Sequence, residues 1–321
     1  MKLRPSHLSR RRVRGLSLIE LLVSLVIGLV LMIAVVSAYI GSSGATRMAE
    51  AQARMNEDAQ AALTVLTQQL RMAGNNPKQS NYTSAAPRNP VYPAGTYIVR
   101  GCDGKFSNIT TAADPQSLTC TAGGGSAPDS IAVTYEADAY NTVATGPGGS
   151  ATDCLGQALT ASNANVNIWN GTASVSTNVT FTVADNRFYV GTSTTIVSPS
   201  LYCKGNGGAN PQPLVENVED LQFVYGTAPA AATPTTLSVA GYLSAADIAA
   251  DAGLAALPTQ GWSQVMTVRI CVLVRSENPV VPDASSAQYV KCDGTVNTSP
   301  PDLRLRRAYS TTVVLRNRVP S

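Results

Sequence analysis

Arg14-Gly15-Leu16-Ser17-Leu18-Ile19-Glu20-Leu21-Leu22 opens the longest apolar segment of the chain, joining a basic flank, a glycine and one carboxylate among aliphatic side chains. From Leu21 to Ile40 every residue is uncharged and most are apolar. At about 1.5 Å per residue, a helix of that length crosses a hydrocarbon core of about 30 Å. Lys2, Arg4, Arg10, Arg11, Arg12 and Arg14 precede the segment, and the first positive charge beyond it is Arg47. The positive-inside rule therefore predicts a cytoplasmic N-terminus, with everything after residue 40 on the far side of the membrane.

Three readings compete for this segment. A cleaved secretory signal finds support in Val36-Ser37-Ala38, small residues that would leave Tyr39 first. Its apolar stretch is nevertheless longer than a signal's usual ~7–15 residues, and it contains Glu20. A plain membrane anchor leaves that carboxylate snorkelling near the membrane surface. An unpaired charge within an apolar span costs at least about 2.5 kcal/mol, so such residues tend to mark function. The third reading is a leader peptide, and here the resemblance is specific. Arg14 to Leu22 resembles the type IV prepilin motif: basic leader, glycine, apolar residue, then glutamate five residues after the glycine.

That resemblance implies a dedicated peptidase that cuts after Gly15 and methylates the new N-terminus at Leu16. The family usually has Phe where this chain has Leu16. It also implies that Glu20 neutralises the N-terminal amine of a neighbouring subunit when helices pack in a filament, a charge pair that offsets two desolvation costs.

Helical spacing continues beyond the membrane. Met48, Met55, Ala59, Ala62, Leu63, Leu66 and Leu70 recur at intervals of three, four and seven, which predicts an amphipathic helix stopped by Gly74-Asn75-Asn76-Pro77. The apolar stripe is expected to pack on the chain's own sheet, and Gly41-Ser42-Ser43-Gly44 to kink or melt the helix between its two halves.

After residue 77 Gly, Pro, Ser, Thr and Asn are frequent and period-two alternation takes over. Ile131/Val133/Tyr135, Leu221/Phe223/Tyr225 and Tyr309/Thr311/Val313/Leu315 read as strands. Val179/Phe181/Val183, a turn at Ala184-Asp185-Asn186-Arg187 and then Phe188-Tyr189-Val190 read as a hairpin. Across 265–275, Met266, Val268, Ile270, Val272 and Val274 form an apolar face, opposite Thr267, Arg269, Cys271 and Arg275. Ser244 with Asp247 suggests a capping box opening one helix that Pro258 closes. The spacers 121–128, 146–150 and 204–213 read as surface loops.

Cys102, Cys120, Cys154, Cys203, Cys271 and Cys292 all lie outside the apolar segment, which points to an oxidising compartment and structural disulfides. Six cysteines allow many connectivities. Neighbours in sequence are favoured: Cys102–Cys120, Cys154–Cys203 and Cys271–Cys292. No pair has CxxC spacing, and the one histidine, His7, would leave with the leader, so no zinc site, cofactor or histidine-based catalysis is expected.

The remaining candidate sites are weak. Glu216, Glu219 and Asp220 can in principle act as acid and base, yet acids alternating with apolar residues more often mark a solvated strand. Gly205-Asn206-Gly207-Gly208 lacks the Lys-Ser/Thr ending of a phosphate loop. Cys102-Asp103-Gly104 and Cys292-Asp293-Gly294 suit turns better than Ca²⁺ ligand sets. Asn81, Asn108, Asn170, Asn178 and Asn297 head N-x-Ser/Thr sequons that carry no weight in a bacterial host. The six basic residues before the apolar segment exceed the net charge of +3, so the rest is mildly acidic and nothing global favours nucleic acid. Arg304, Arg306 and Arg307 are expected at solvent-facing strand positions.

Segments 214–226, 262–275 and 311–317 resemble the C-terminal part of PilW-like minor pilins. The resulting expectation is an α+β, pilin-like fold in which a long N-terminal helical spine carries a large β-rich, disulfide-stapled head. The divisions are leader 1–15, transmembrane or filament-core helix 16–40, amphipathic helix 41–76 and periplasmic head 77–321. The resemblance implies a minor pilin that helps initiate or cap a type IV pilus and so supports motility or adhesion. Its implied partners are the prepilin peptidase, other minor pilins, the major pilin and the inner-membrane assembly machinery. It would be held in the inner membrane before moving to the pilus. A minor pseudopilin of type II secretion shares the leader and differs in partners. An adhesin domain on a simple anchor predicts no cleavage at Gly15.

Overall fold

A computed structural model of the chain describes residues 15, 17–77, 97–121, 127–146, 149–169, 172–232 and 238–318. The leader before Gly15, Leu16, most of the spacer 121–128, the centre of the spacer 146–150, and Asn81 and Asn170 lie outside the described residues.

Helix α1 runs unbroken from Leu18 to Met72. The expected interruption at residues 41–44 does not occur. Two glycines in a long helix cost only about 1 kcal/mol each, and nearby hydroxyls fold back onto the helix: Ser43 Oγ donates to the Ile40 carbonyl at 3.0 Å and Thr46 Oγ1 to that of Ser42 at 3.0 Å. The helix closes where the sequence predicted, with Gly74 at φ +73, a conformation suited to glycine. The chain divides into two compact units, 1–50 and 51–321.

The second unit contains all the strands. β1 (Val99–Cys102), β2 (Ser130–Glu136), β4 (Ser174–Gly191), β5 (Ser200–Lys204) and β6 (Gln212–Glu216) form one sheet in that order, and β3 (Ala161–Trp169) pairs with the first half of β4. A second sheet has the order β12 (Arg306–Val314), β9 (Val265–Arg275), β7 (Val218–Thr227), β8 (Gly241–Leu243). β10 (Tyr289–Val290) and β11 (Val296–Asn297) make a small hairpin. Every pairing is antiparallel. Two short helices, α2 (Ala245–Ala250) and α3 (Ala252–Ala255), replace the single one expected, because the Asp251 carboxylate caps a new start by accepting from Leu254 N at 2.9 Å. The Ser244/Asp247 capping box at the start of α2 is present.

One core joins both sheets to roughly the last five turns of α1. Met55, Ala59, Ala62, Leu66 and Leu70 bury against Ile131, Val133 and Tyr135 of β2, Phe188 of β4, Leu221 and Phe223 of β7, and Val268, Ile270 and Val272 of β9. From Met55 to Leu70 the predicted stripe therefore packs on the chain's own sheets, with Leu63 against its margin, whereas Met48 lies outside this core. The whole of β2 is buried, because its second face meets a smaller cluster of Cys102, Phe106, Leu118 and Ala132 beneath the loop closed by Cys102–Cys120. The structure also joins Cys154 to Cys203 and Cys271 to Cys292.

β4 corrects the expected hairpin. Residues 184–187 make no turn but continue the strand, paired with β2 through Tyr135↔Ala184 and Ala132↔Arg187. Their polarity is absorbed locally. Asn186 Nδ2 donates to Gln69 Oε1 at 2.8 Å and to the Tyr135 hydroxyl at 3.2 Å. The Arg187 guanidinium holds Asp185 at 2.6 Å and donates to the carbonyls of Ile109 at 2.7 Å and Ala112 at 2.9 Å. A buried polar group with its hydrogen bonds satisfied need not break a strand.

Candidate functional site

The N-terminal end of α1 brings Ser17 and Glu20 together. Ser17 N donates to Glu20 Oε2 at 2.9 Å, and Glu20 N donates to Ser17 Oγ at 3.2 Å. This reciprocal arrangement is a capping box, with Ser17 at the cap and Glu20 three residues in. It places a negative charge in the first turn, where free backbone N–H groups and the helix dipole favour it. The Ser-x-x-Glu spacing ahead of an apolar run was the available signal, and the sequence reading passed over it.

From Leu18 to Ile40 every large apolar side chain is more than half exposed. The helix is long and apolar enough to cross a membrane by length and composition, and an apolar surface of this extent calls for lipid or other helices around it. Glu20 is the only carboxylate in that stretch.

Elsewhere the candidate residues prove structural. Arg306 is not solvent-facing: its side chain is buried, with Nε 2.6 Å from Glu219 Oε2 and Nη1 2.7 Å from Asp302 Oδ1. Arg304 pairs with Asp302 at 2.8 Å, and Arg307 lies over the Tyr309 ring at 5.6 Å. Glu219 is thus committed to an ion pair, while Asp220 accepts from Leu221 N and Gln222 Nε2. In the 204–208 loop Lys204 Nζ binds the carbonyls of Gly205 and Gly208, and Gly207 N donates to Asp153, so the loop's polar groups satisfy one another. Asp103 caps α2 by accepting from Ala245 N at 2.8 Å and Ala246 N at 3.0 Å. Asp293 holds the tight turn of the β10–β11 hairpin through Thr295. Among the described residues no cluster of three His, Cys, Asp or Glu side chains is placed to hold a metal.

One buried acid went unremarked in the sequence. Asp129 accepts from Gly104 N at 3.0 Å and Phe223 N at 2.8 Å, tying the first sheet to β7. Burial pushes its carboxyl up to about 7 against the opposing effect of those two bonds.

The N-terminal geometry therefore sets an apolar helix with a single capped carboxylate ahead of a disulfide-bonded β-rich unit. Comparison with known families assigns both parts. The prokaryotic N-terminal methylation motif matches residues 10–36, and the family described as Type IV Pilus-assembly protein W matches residues 187–317, from the last residues of β4 to just beyond β12. The chain thus carries a prepilin methylation motif and a PilW domain. It is a minor pilin of the type IV pilus, from a family of structural subunits, and its apolar helix anchors it in a membrane. Comparison with curated proteins gives no match. Among solved structures, a type IV-like pilin from Thermus thermophilus superposes at 12% identity with TM-score 0.34, covering 82% of this chain and 98% of its own, a likeness too distant to carry an argument.

Proposed function

We propose that this minor pilin is cut between Gly15 and Leu16, methylated on Leu16, and inserted into a pilus where it helps initiate or cap assembly. Glu20 is the observation that carries the reading. An apolar surface with one carboxylate suits a bundle of like helices in which that carboxylate meets a cation, and a processed neighbour supplies one in its N-terminal amine. Among the described residues Glu20 engages its own Ser17, so it can accept that amine without losing its place in the helix.

Before assembly the chain sits in the inner membrane with the N-terminus cytoplasmic and the β-rich unit periplasmic, the side on which disulfides persist. Its partners are the prepilin peptidase, the major pilin, other minor pilins and the inner-membrane machinery, and it performs no catalysis. A subunit with so large a β-rich unit suits a tip or base position better than a shaft repeated thousands of times. A type II secretion pseudopilin would share the leader and co-purify with secretion components instead.

Mass spectrometry of the N-terminal peptide tests processing: N-methylated Leu16 is expected, whereas a start at Tyr39 or an intact Met1 overturns it. Glu20→Ala tests assembly. Breaking a buried charge pair from one side costs about 3–5 kcal/mol, which is more than about a hundredfold in association. The variant should be processed and membrane-held yet missing from sheared pili. Equal incorporation of variant and wild type would sink the charge-pair mechanism.

A further inference from the structure

The hairpin of β3 and β4 has an open side. β3 pairs only with β4 among the described residues, which leaves the backbone N–H and C=O groups of its outer edge unpaired over the nine residues Ala161–Trp169. Natural sheets blunt such edges with lysine, proline, a bulge or a very short strand. This edge has none of these. Its register with β4 is unbroken from Ala161↔Thr182 to Trp169↔Ser174, and no charged residue occurs between Asp153 and Asp185.

The ribbon also contributes little to the core. No residue of β4 before Ala184 is buried, nor is any of residues 161–167 of β3. A two-stranded hairpin is marginally stable by itself, and three or more strands are needed for independent stability. β4 is anchored by its continuation between β2 and β5, whereas β3 has no second neighbour among the described residues.

We propose that the open edge of β3 pairs with β3 of a second copy of this protein, antiparallel about Asn165, to make a four-stranded ribbon. The edge is complementary to itself in that register. Asn165 falls opposite its own copy, Asn163 opposite Asn167, and Ala164 opposite Val166, so amide meets amide, a small side chain meets a β-branched one, and no like charges face each other. The amide row already exists within one hairpin: Asn178 Nδ2 donates to Asn165 Oδ1 at 3.2 Å and Thr180 Oγ1 to Asn163 Oδ1 at 2.6 Å. Pairing extends it from one copy into the next. The contact lies wholly within the β-rich unit and does not depend on processing at Gly15.

Cysteine substitution in the full chain, made in the producing cell, tests the register. Residues directly opposite in an antiparallel pair have Cα atoms about 4.5–5.5 Å apart, within the ~7 Å reach of a disulfide. Asn165→Cys should therefore give a disulfide-linked homodimer on a non-reducing gel. Asn178→Cys is the control: it occupies an equally exposed site on the ribbon, but its copy is three strand spacings away, about 14 Å, so it should stay monomeric. Peptide mapping checks that the three native disulfides persist in both. In the detergent-purified full chain, Asn165→Lys places two ammonium groups face to face and should raise the dimer dissociation constant at least about tenfold. The proposal is overturned by a monomeric Asn165→Cys protein, by equal cross-linking at both positions, or by cross-linking to a protein of different mass, which would mean a strand from another subunit. Dimers indifferent to Asn165→Lys would overturn it too, placing self-association in the apolar helix.

Discussion

Replacing Arg306 by methionine keeps much of the side-chain volume and withdraws the cation that two carboxylates share. The Arg306 side chain is 0% exposed, whereas Glu219 and Asp302 keep 26% and 27% of theirs. Its guanidinium also lies 5.4 Å from the centre of the Tyr289 ring, on the hairpin next to the Cys271–Cys292 bond. Removing one partner of a fully buried pair costs about 3–5 kcal/mol. Water can reach the two acids left behind, so about 2–3 kcal/mol is expected here. At about 2–4 °C per kcal/mol for a domain of this size, the melting midpoint should fall by about 4–12 °C. A pH series separates charge from packing. Hydrogen bonds from Arg306, and then from Arg304, hold the Asp302 carboxyl well below the usual carboxylate range. A depressed carboxyl contributes stability that is present above its unfolded value of about 3.9 and is lost as pH falls through the folded value. Wild type should therefore lose more stability than Arg306→Met on acidification below about pH 4, and the two melting curves should converge. The measurement is thermal unfolding by circular dichroism at pH 7 and pH 3, with Arg306→Met/Glu219→Gln recovering part of the loss. A midpoint within about 2 °C of wild type at pH 7, or a gap that does not narrow at pH 3, would refute the reasoning.

Two further outcomes follow from the core. A Cβ added at Gly101 would meet the Tyr225 hydroxyl at 1.9 Å, so Gly101→Ala should cost about 1–3 kcal/mol by overpacking. That hydroxyl is buried and has no hydrogen-bond partner among the described residues, but the ring carbon that carries it would still lie 2.6 Å from the added Cβ, so Tyr225→Phe should recover only part of the loss from Gly101→Ala in the same unfolding assay, and no recovery at all would exclude the hydroxyl contact as a contributor. Asp129, pushed up to about 7 by burial, contributes stability that is present below about pH 4 and lost as pH rises through about 7. Burial also raises the carboxyls of Asp185, Asp220 and Asp58, so urea midpoints should drop more for wild type than for Asp129→Asn between pH 4.5 and 7.5, and parallel profiles would exclude Asp129 as a source.

What the sequence made legible was whatever repeats along the chain. The intervals from Met55 to Leu70 gave the buried stripe of α1, and the alternation from Met266 to Val274 gave the core face of β9. What it concealed depends on partners distant in sequence. Asp185, Asn186 and Arg187 have the composition of a turn, and only Gln69, Ile109 and Ala112, brought in from elsewhere, make their burial inside β4 tolerable. Arg306 likewise has the composition of a surface residue until Glu219, 87 positions away, is folded against it. At the N-terminus the motif around Gly15 and Glu20 is legible from spacing alone, and the bond between Ser17 and Glu20 is legible from the same residues, because a serine three positions before a glutamate at a helix start forms a capping box.

The absence of a turn in β4 has a mechanical consequence. Its 18 residues run as one backbone from the exposed hairpin into the middle of a sheet, where they bond to β2 on one side and β5 on the other. A pull on the hairpin along its axis cannot peel β4 away one hydrogen bond at a time, as it could an edge strand. It loads the ladders to β2 and β5 in shear, so their bonds must yield together, and the Cys154–Cys203 bond fastens one of those neighbours covalently to the loop beside it. Whatever grips the hairpin therefore holds the protein by one of its most firmly seated strands.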